Sequence, residues 1–165
     1  MKRSSLVLTL CAALSVTPAH AADTVAPLSS TLKALQGARR QVIATLPAVV
    51  SEEVVKALKA AATRGTTLFL ITNTRTLRQG GYLLTLSHAP GTVHTYLTDG
   101  AIPVPWIMVD GAWVASGAAL DGGTGDVTVS RDRAVLGRLN TWATSVTRAG
   151  PVPRVELLKR RYAKS

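Results

Sequence analysis

Residues 105–117 read Pro105-Trp106-Ile107-Met108-Val109-Asp110-Gly111-Ala112-Trp113-Val114-Ala115-Ser116-Gly117. Two apolar runs, 105–109 and 112–116, flank Asp110-Gly111. That dipeptide readily supplies the left-handed residues a tight hairpin turn requires. The stretch therefore predicts two antiparallel strands late in the chain. Trp106 and Trp113 fall one in each strand. Their size favours burial in the core over an exposed platform for stacking bases or sugars.

Downstream of the hairpin, residues 121–126 include Gly122-Gly123-Thr124-Gly125. The run resembles a phosphate loop only in glycine content, because no Lys-Ser/Thr follows and no helix opens after it. It predicts a connection into a short strand at 127–129. A helix is predicted over 131–148, with Val135, Leu139, Trp142 and Val146 on one face. Pro151 and Pro153 stop it, and residues 151–165 read as a basic tail carrying Lys159-Arg160-Arg161.

Upstream, residues 92–98 and 66–72 read as strands, the latter a β-branched, apolar run. Between them, 75–87 is ambiguous: Leu77, Leu83, Leu84 and Leu86 need somewhere to pack, but Gly80-Gly81 weakens a helix. The clearest helix precedes them. Ser51 can cap it, Glu52 and Glu53 suit the positive end of its dipole, and Gly65 ends it. Its buried stripe is Val54, Val55, Leu58, Ala61 and Ala62. A strand at 41–46, broken by Pro47, and a helix over 28–40 complete the order. Helices alternate with strands early and a hairpin comes late, which implies an α/β domain. Its mixed β-sheet should be flanked by helices on both faces.

The first 21 residues have the three parts of a secretory signal. Lys2 and Arg3 give a positive start, 6–16 an apolar run, and Ala19-His20-Ala21 the small residues read at cleavage. The run is too short for the ~20 residues of a spanning helix. Cys11 lies inside it after Leu10, which does not suit a lipid-anchored cysteine. The expectation is a secreted or periplasmic protein without a transmembrane span, with its domain at 22–150. Cys11 is the chain's one cysteine, so removing the signal leaves no disulfide and no thiolate metal site. Removing 21 of the 165 residues leaves 144, and losing Lys2 and Arg3 takes the formal charge from +10 to +8. Such a surplus favours polyanions, whether nucleic acid, anionic lipid or envelope polymer. A positive surface that merely keeps the protein soluble is the alternative.

The pattern over 28–146 resembles the phospholipase D superfamily, most closely its small exported nucleases with one catalytic motif per chain. The resemblance rests on Ala61-x-x-Arg64-Gly65 before an apolar strand, on Ala38-Arg39-Arg40-Gln41-Val42, on Asp110-Gly111, on Ser116-Gly117, and on Trp142 in the last helix. It implies a phospholipase D-like fold. Because one-motif chains of that family pair to complete a site, it also implies a homodimer. The family signature is His-x-Lys, four residues, Asp, then Gly-Ser-x-Asn beyond the next strand. One histidine attacks phosphorus and the matching histidine of the second motif protonates the leaving oxygen. The lysine and asparagine hold the charge that develops on the phosphoryl oxygens.

Here the signature has lost its chemistry. Counting from Asp110, the histidine position is Pro103 and the lysine position Pro105. Counting from Gly117, the serine position is Ala118 and the asparagine position Leu120. Only the turn-forming Asp110, Gly111 and Gly117 remain. The expectation is a binding domain without catalytic residues, which takes up a polyanion or a partner protein. An envelope-associated structural protein using the basic tail is a further reading.

The alternative enzyme would be a phosphodiesterase or nuclease using a non-motif histidine, with His94 the candidate and His88 the other histidine after the signal. The polyanion-binding candidates are Arg39, Arg40, Arg75, Arg78, Arg131 and Arg138, with Arg133 and Arg148 nearby in sequence. No metal or cofactor is expected, because the histidines and aspartates lack ligand spacing.

Overall fold

The computed structural model describes residues 22–88 and 91–163; the expected signal segment lies outside them. The strands are β1 (Thr24–Ala26), β2 (Gln41–Thr45), β3 (Thr67–Asn73), β4 (Val93–Thr98), β5 (Trp106–Val109), β6 (Trp113–Ser116) and β7 (Val127–Ser130). The helices are α1 (Leu28–Leu35), α2 (Glu52–Thr63), α3 (Leu83–Leu86), α4 (Arg133–Thr147) and α5 (Arg154–Tyr162). All seven strands join one sheet in the order β1-β7-β6-β5-β2-β3-β4. β2, β3 and β4 run parallel, and every other neighbouring pair is antiparallel. The expected mixed sheet is the one observed.

Strand alternation sorts the core into two layers. Val42, Ala44, Leu68, Leu70, Ile107, Val109 and Ala115 face one side, where α1, α2, α3 and α5 cover them with Leu35, Leu58, Leu86 and Leu157. Ile43, Ile71, Tyr96, Trp106, Met108 and Val114 face the other, under Leu136 and Ala143 of α4. Helices thus flank both faces. The anticipated α4 residues Val135, Leu139, Trp142 and Val146 pack against this second layer as a half-buried border.

Local chemistry explains the elements that matched. Ser51 caps α2 by accepting the Val54 N–H at 3.4 Å, and Gly65 leaves it at φ 91°. Asp110 and Gly111 both sit in the left-handed region, at φ 53° and 67°, and the Ala112 N–H closes the turn on the Val109 carbonyl. Pairing between β5 and β6 then runs from Val109↔Trp113 to Trp106↔Ser116.

The differences have local causes too. α1 stops at Leu35, short of the expected 40. The ambiguous segment resolves into one 3-10 turn, Thr76–Gln79, and the four-residue α3. Gly80 and Gly81 separate them at φ 112° and 80°. A side chain on Gly81 would lie 2.6 Å from the Ala48 carbonyl oxygen, so no longer helix fits there. β1, not anticipated, pairs with β7 at one sheet edge. The segment expected as a basic tail contains α5, with Leu157 fully buried against the first layer. Among the described residues no helix is long and apolar enough to cross a membrane.

Candidate functional site

The two segments that hold the expected signature positions meet. Pro105 immediately precedes β5, and its carbonyl accepts the Gly117 N–H at 3.0 Å just beyond β6. Pro103 is exposed in the approach to the strand. Neither proline offers a nucleophile, a charge or an N–H. Ala118 is exposed, and Leu120 is fully buried in the first core layer, where an asparagine amide would have no solvent. Gly117 keeps φ 150°, and a side chain there would press the Asp126 carbonyl oxygen at 3.1 Å. The frame around the site is kept by packing.

Asp110 lies at the other end of β5, beyond Val109. One carboxylate oxygen accepts the backbone N–H of Arg40 and Gln41 at 2.9 Å each, and the other accepts that of Arg39 at 3.0 Å. Desolvation pulls the Asp110 pKa upward. The three N–H donors and the Arg40 charge outweigh it and hold the carboxyl below its ordinary value. Asp110 is thus a staple between the hairpin and the start of β2.

A second carboxylate, carrying no motif in the sequence, braces the other end of the sheet. Asp121 accepts the Ala48 N–H at 2.6 Å and the Val50 N–H at 2.9 Å, holding the loop after β2. Between those residues Val49 is buried at φ 56°. The Pro47 carbonyl accepts the hydroxyls of Thr72, at 3.0 Å, and Thr76. The strand ends that would carry chemistry are tied down by hydrogen bonds among backbone, threonine and aspartate.

His94 is not near the prolines. It sits on β4, the edge strand, paired with Phe69, and its ring lies 5.7 Å from that of Phe69. β5 is three strands away, roughly 14 Å at the usual strand spacing. His88 follows α3 and lines a surface groove together with His94. Trp106 is buried edge-on against Trp142, with centroids 6.0 Å apart, and Trp113 packs on the opposite layer. Trp106 is a core residue, and Trp113 is half-buried against the first layer.

The six candidate arginines are all exposed but do not form one stripe. Arg39 and Arg40 lead into β2 beside the Asp110 turn, and Arg131 leaves β7 at that same end. Arg75 and Arg78 follow β3, whose parallel pairing with β2 carries them to the motif end. Arg138 lies on the exposed side of α4. At the hairpin end a groove of about 410 Å³ runs under α4, lined by Gln41, Met108, Gly111, Arg133, Leu136, Gly137 and Asn140. Gln41 and Asn140 also line its continuation, past Phe69 toward Thr147. Gln41 and Asn140 were not legible as site residues, since a lone amide in a strand or helix carries no motif.

This sheet order, with a hairpin feeding the centre and helices on both faces, is the phospholipase D-like fold, close to that of small nucleases. The solved structures similar to this chain include NucT from Helicobacter pylori, at 15% identity and a TM-score of 0.65, covering 76% of this chain and 93% of that one. Nuc from Salmonella typhimurium, a phospholipase D family member, matches at 14% identity and a TM-score of 0.58 over the same shares. TrmBL2, an archaeal chromatin protein described as showing a novel mode of DNA binding, matches at 14% and 0.56, over 80% of this chain but 54% of its own. No family model matches the sequence. No curated protein matches it either.

Proposed function

We propose that this chain is an exported phospholipase D-like domain without phosphodiesterase activity, and that it binds a polyanion, nucleic acid foremost. The observation that carries the reading is the Pro105–Gly117 contact. The two halves of the motif still meet, yet the positions that would attack phosphorus and hold its oxygens are Pro103, Pro105 and the buried Leu120. A fold kept around an emptied site is put to use by binding.

The binding surface in this reading is the hairpin end. Arg39, Arg40, Arg131 and Arg133 bring positive charge from two parts of the chain to the groove that Gln41 and Asn140 line. Arginine forks suit phosphate oxygens, and neutral amides can add hydrogen bonds to sugar or base edges. The DNA-binding chromatin protein of similar fold supports nucleic acid as the polyanion. The reading that uses His94 as nucleophile has less support, because in-line attack tolerates little misplacement and His94 lies across the sheet from the motif.

The test is a pair of measurements on the purified chain. Incubation with DNA and with a chromogenic phosphodiester should give no turnover, while a labelled oligonucleotide should bind with an affinity that falls as salt rises. Turnover abolished by His94→Ala would replace this proposal with the enzyme. Binding unaffected by salt would replace the polyanion with a protein partner.

A further inference from the structure

A second basic surface lies away from the hairpin end and contains none of the arginines singled out in the sequence. Two grooves adjoin there. The first, about 410 Å³, is lined by Ser87, His88, His94, Thr95, Val152 and Arg154, among others. The second, about 370 Å³, is lined by Lys59, Leu84, His88, Arg154, Leu158 and Tyr162, among others. His88 and Arg154 belong to both, so the two form one continuous trough. Its cationic and histidine side chains come from α2, from the end of α3, from β4 and from α5. Among the described residues lining it there is no aspartate or glutamate.

The backbone favours an anion in the same place. α5 begins at Arg154 after Pro153, whose side chain makes no capping bond. The first N–H groups of a helix have no intrahelical acceptor and carry the positive end of its dipole. Glu156 in the first turn would oppose an anion, but its carboxylate is engaged by Arg160 at 2.8 Å.

A further observation points to a ligand. Thr95 lines the first groove, is 3% exposed, and its hydroxyl has no hydrogen-bond partner among the described residues. A buried hydroxyl is expected to be paired, and a group bound in the groove would supply what is missing. The trough is also firmly framed. The Val152 N–H donates to the Thr95 carbonyl at 2.7 Å, and Leu157 anchors α5 in the core.

We propose that this trough, centred on His88 and Arg154, is a phosphate-binding site distinct from the hairpin-end surface. Its ligand chemistry is a phosphoryl group, presented either as a free phosphate or polyphosphate or by the backbone of a nucleic-acid strand. Arg154 and the start of α5 would hold the oxygens, with Lys59 and the two histidines on either side.

The experiment is a titration of the purified full chain, followed by amide and histidine-ring NMR shifts. The probes are inorganic phosphate, tripolyphosphate and a hexathymidylate strand. Shifts should concentrate at His88, His94, Thr95, Arg154 and Val155. Response to phosphate and tripolyphosphate assigns the trough to free anions, and response to the strand alone assigns it to nucleic acid. Arg154→Ala with Lys59→Ala should weaken that binding about tenfold, the scale of losing two exposed ion pairs. Arg39→Ala with Arg133→Ala should leave it unchanged while weakening the hairpin-end binding, so the two proposals fail separately. Arg39, Arg133, Arg154 and Lys59 are all exposed, which spares the fold. No shift at these residues with any of the three probes, or an affinity unchanged by R154A with K59A, would overturn the site.

Discussion

At the scale of single residues, Asp110, Gly111 and Gly117 each serve the fold. The Asp110 carboxylate satisfies three backbone N–H groups of residues 39–41. Asp110→Ala should therefore destabilise the fold by roughly 1 to 2 kcal/mol, the range for losing charged hydrogen bonds at a partly exposed site. The sign of its pH dependence follows from the depressed pKa. Between the ordinary value of 3.8 and the lower folded value, the unfolded chain binds the proton and the folded chain does not. The contribution is thus complete above the ordinary value and is lost as pH falls through the folded one. Urea unfolding from pH 6 downward should show wild type and Asp110→Asn converging in strongly acid solution. A constant gap would mean that the carboxylate is not the cause. Leu120 tests the reverse substitution. Leu120→Asn installs the residue type of the phospholipase D signature, yet it places an amide in a fully buried site and should cost about 2 to 5 kcal/mol without giving turnover. Thr45 gives a stabilising counterpart. Its hydroxyl is fully buried without a partner among the described residues, so Thr45→Val should raise stability by about 1 kcal/mol in thermal unfolding.

At the scale of elements, the sequence was informative wherever one local signal dominated. The Ser51 cap, the Asp110-Gly111 turn and the alternation through 41–46 and 66–72 each answer to neighbours in sequence, and each element formed as read. β1 and α5 escaped because their reasons are distant. Three residues, Thr24–Ala26, become a strand only by pairing with β7 about a hundred positions away. α5 is a short helix rich in basic residues whose one fully buried side chain, Leu157, gives no periodicity. The site divides similarly. The places of Pro103, Pro105, Ala118 and Leu120 were legible by counting along the chain. The division of the arginines between two ends of the sheet was not, since it follows from strand direction. α5 also affords a direct test. Leu157→Ala removes a fully buried side chain from the core and should cost about 2 to 5 kcal/mol. A change under about 0.5 kcal/mol in denaturant midpoint analysis, the level of a surface substitution, would mean that α5 is not anchored in the core.

At the scale of the whole molecule, the formal charge of +10 matters less than where the positive side chains lie. A uniformly basic surface would attract polyanions weakly from every side, and no small set of substitutions would change that. The hairpin-end reading makes a sharper claim, because four arginines there should neutralise about as many phosphates. For four contacts on duplex DNA, the slope of log affinity against log salt is about −3.6. Raising salt from 50 to 200 mM should then weaken binding about 150-fold. Replacing Arg39 and Arg133 by alanine should reduce the slope by about two, whereas replacing Arg75 and Arg78, at the opposite end of the sheet, should leave it near its original value. Fluorescence anisotropy with a labelled duplex across that salt range measures both. Equal changes in the two double variants would mean diffuse attraction by net charge, and would remove the hairpin end as a distinct binding surface.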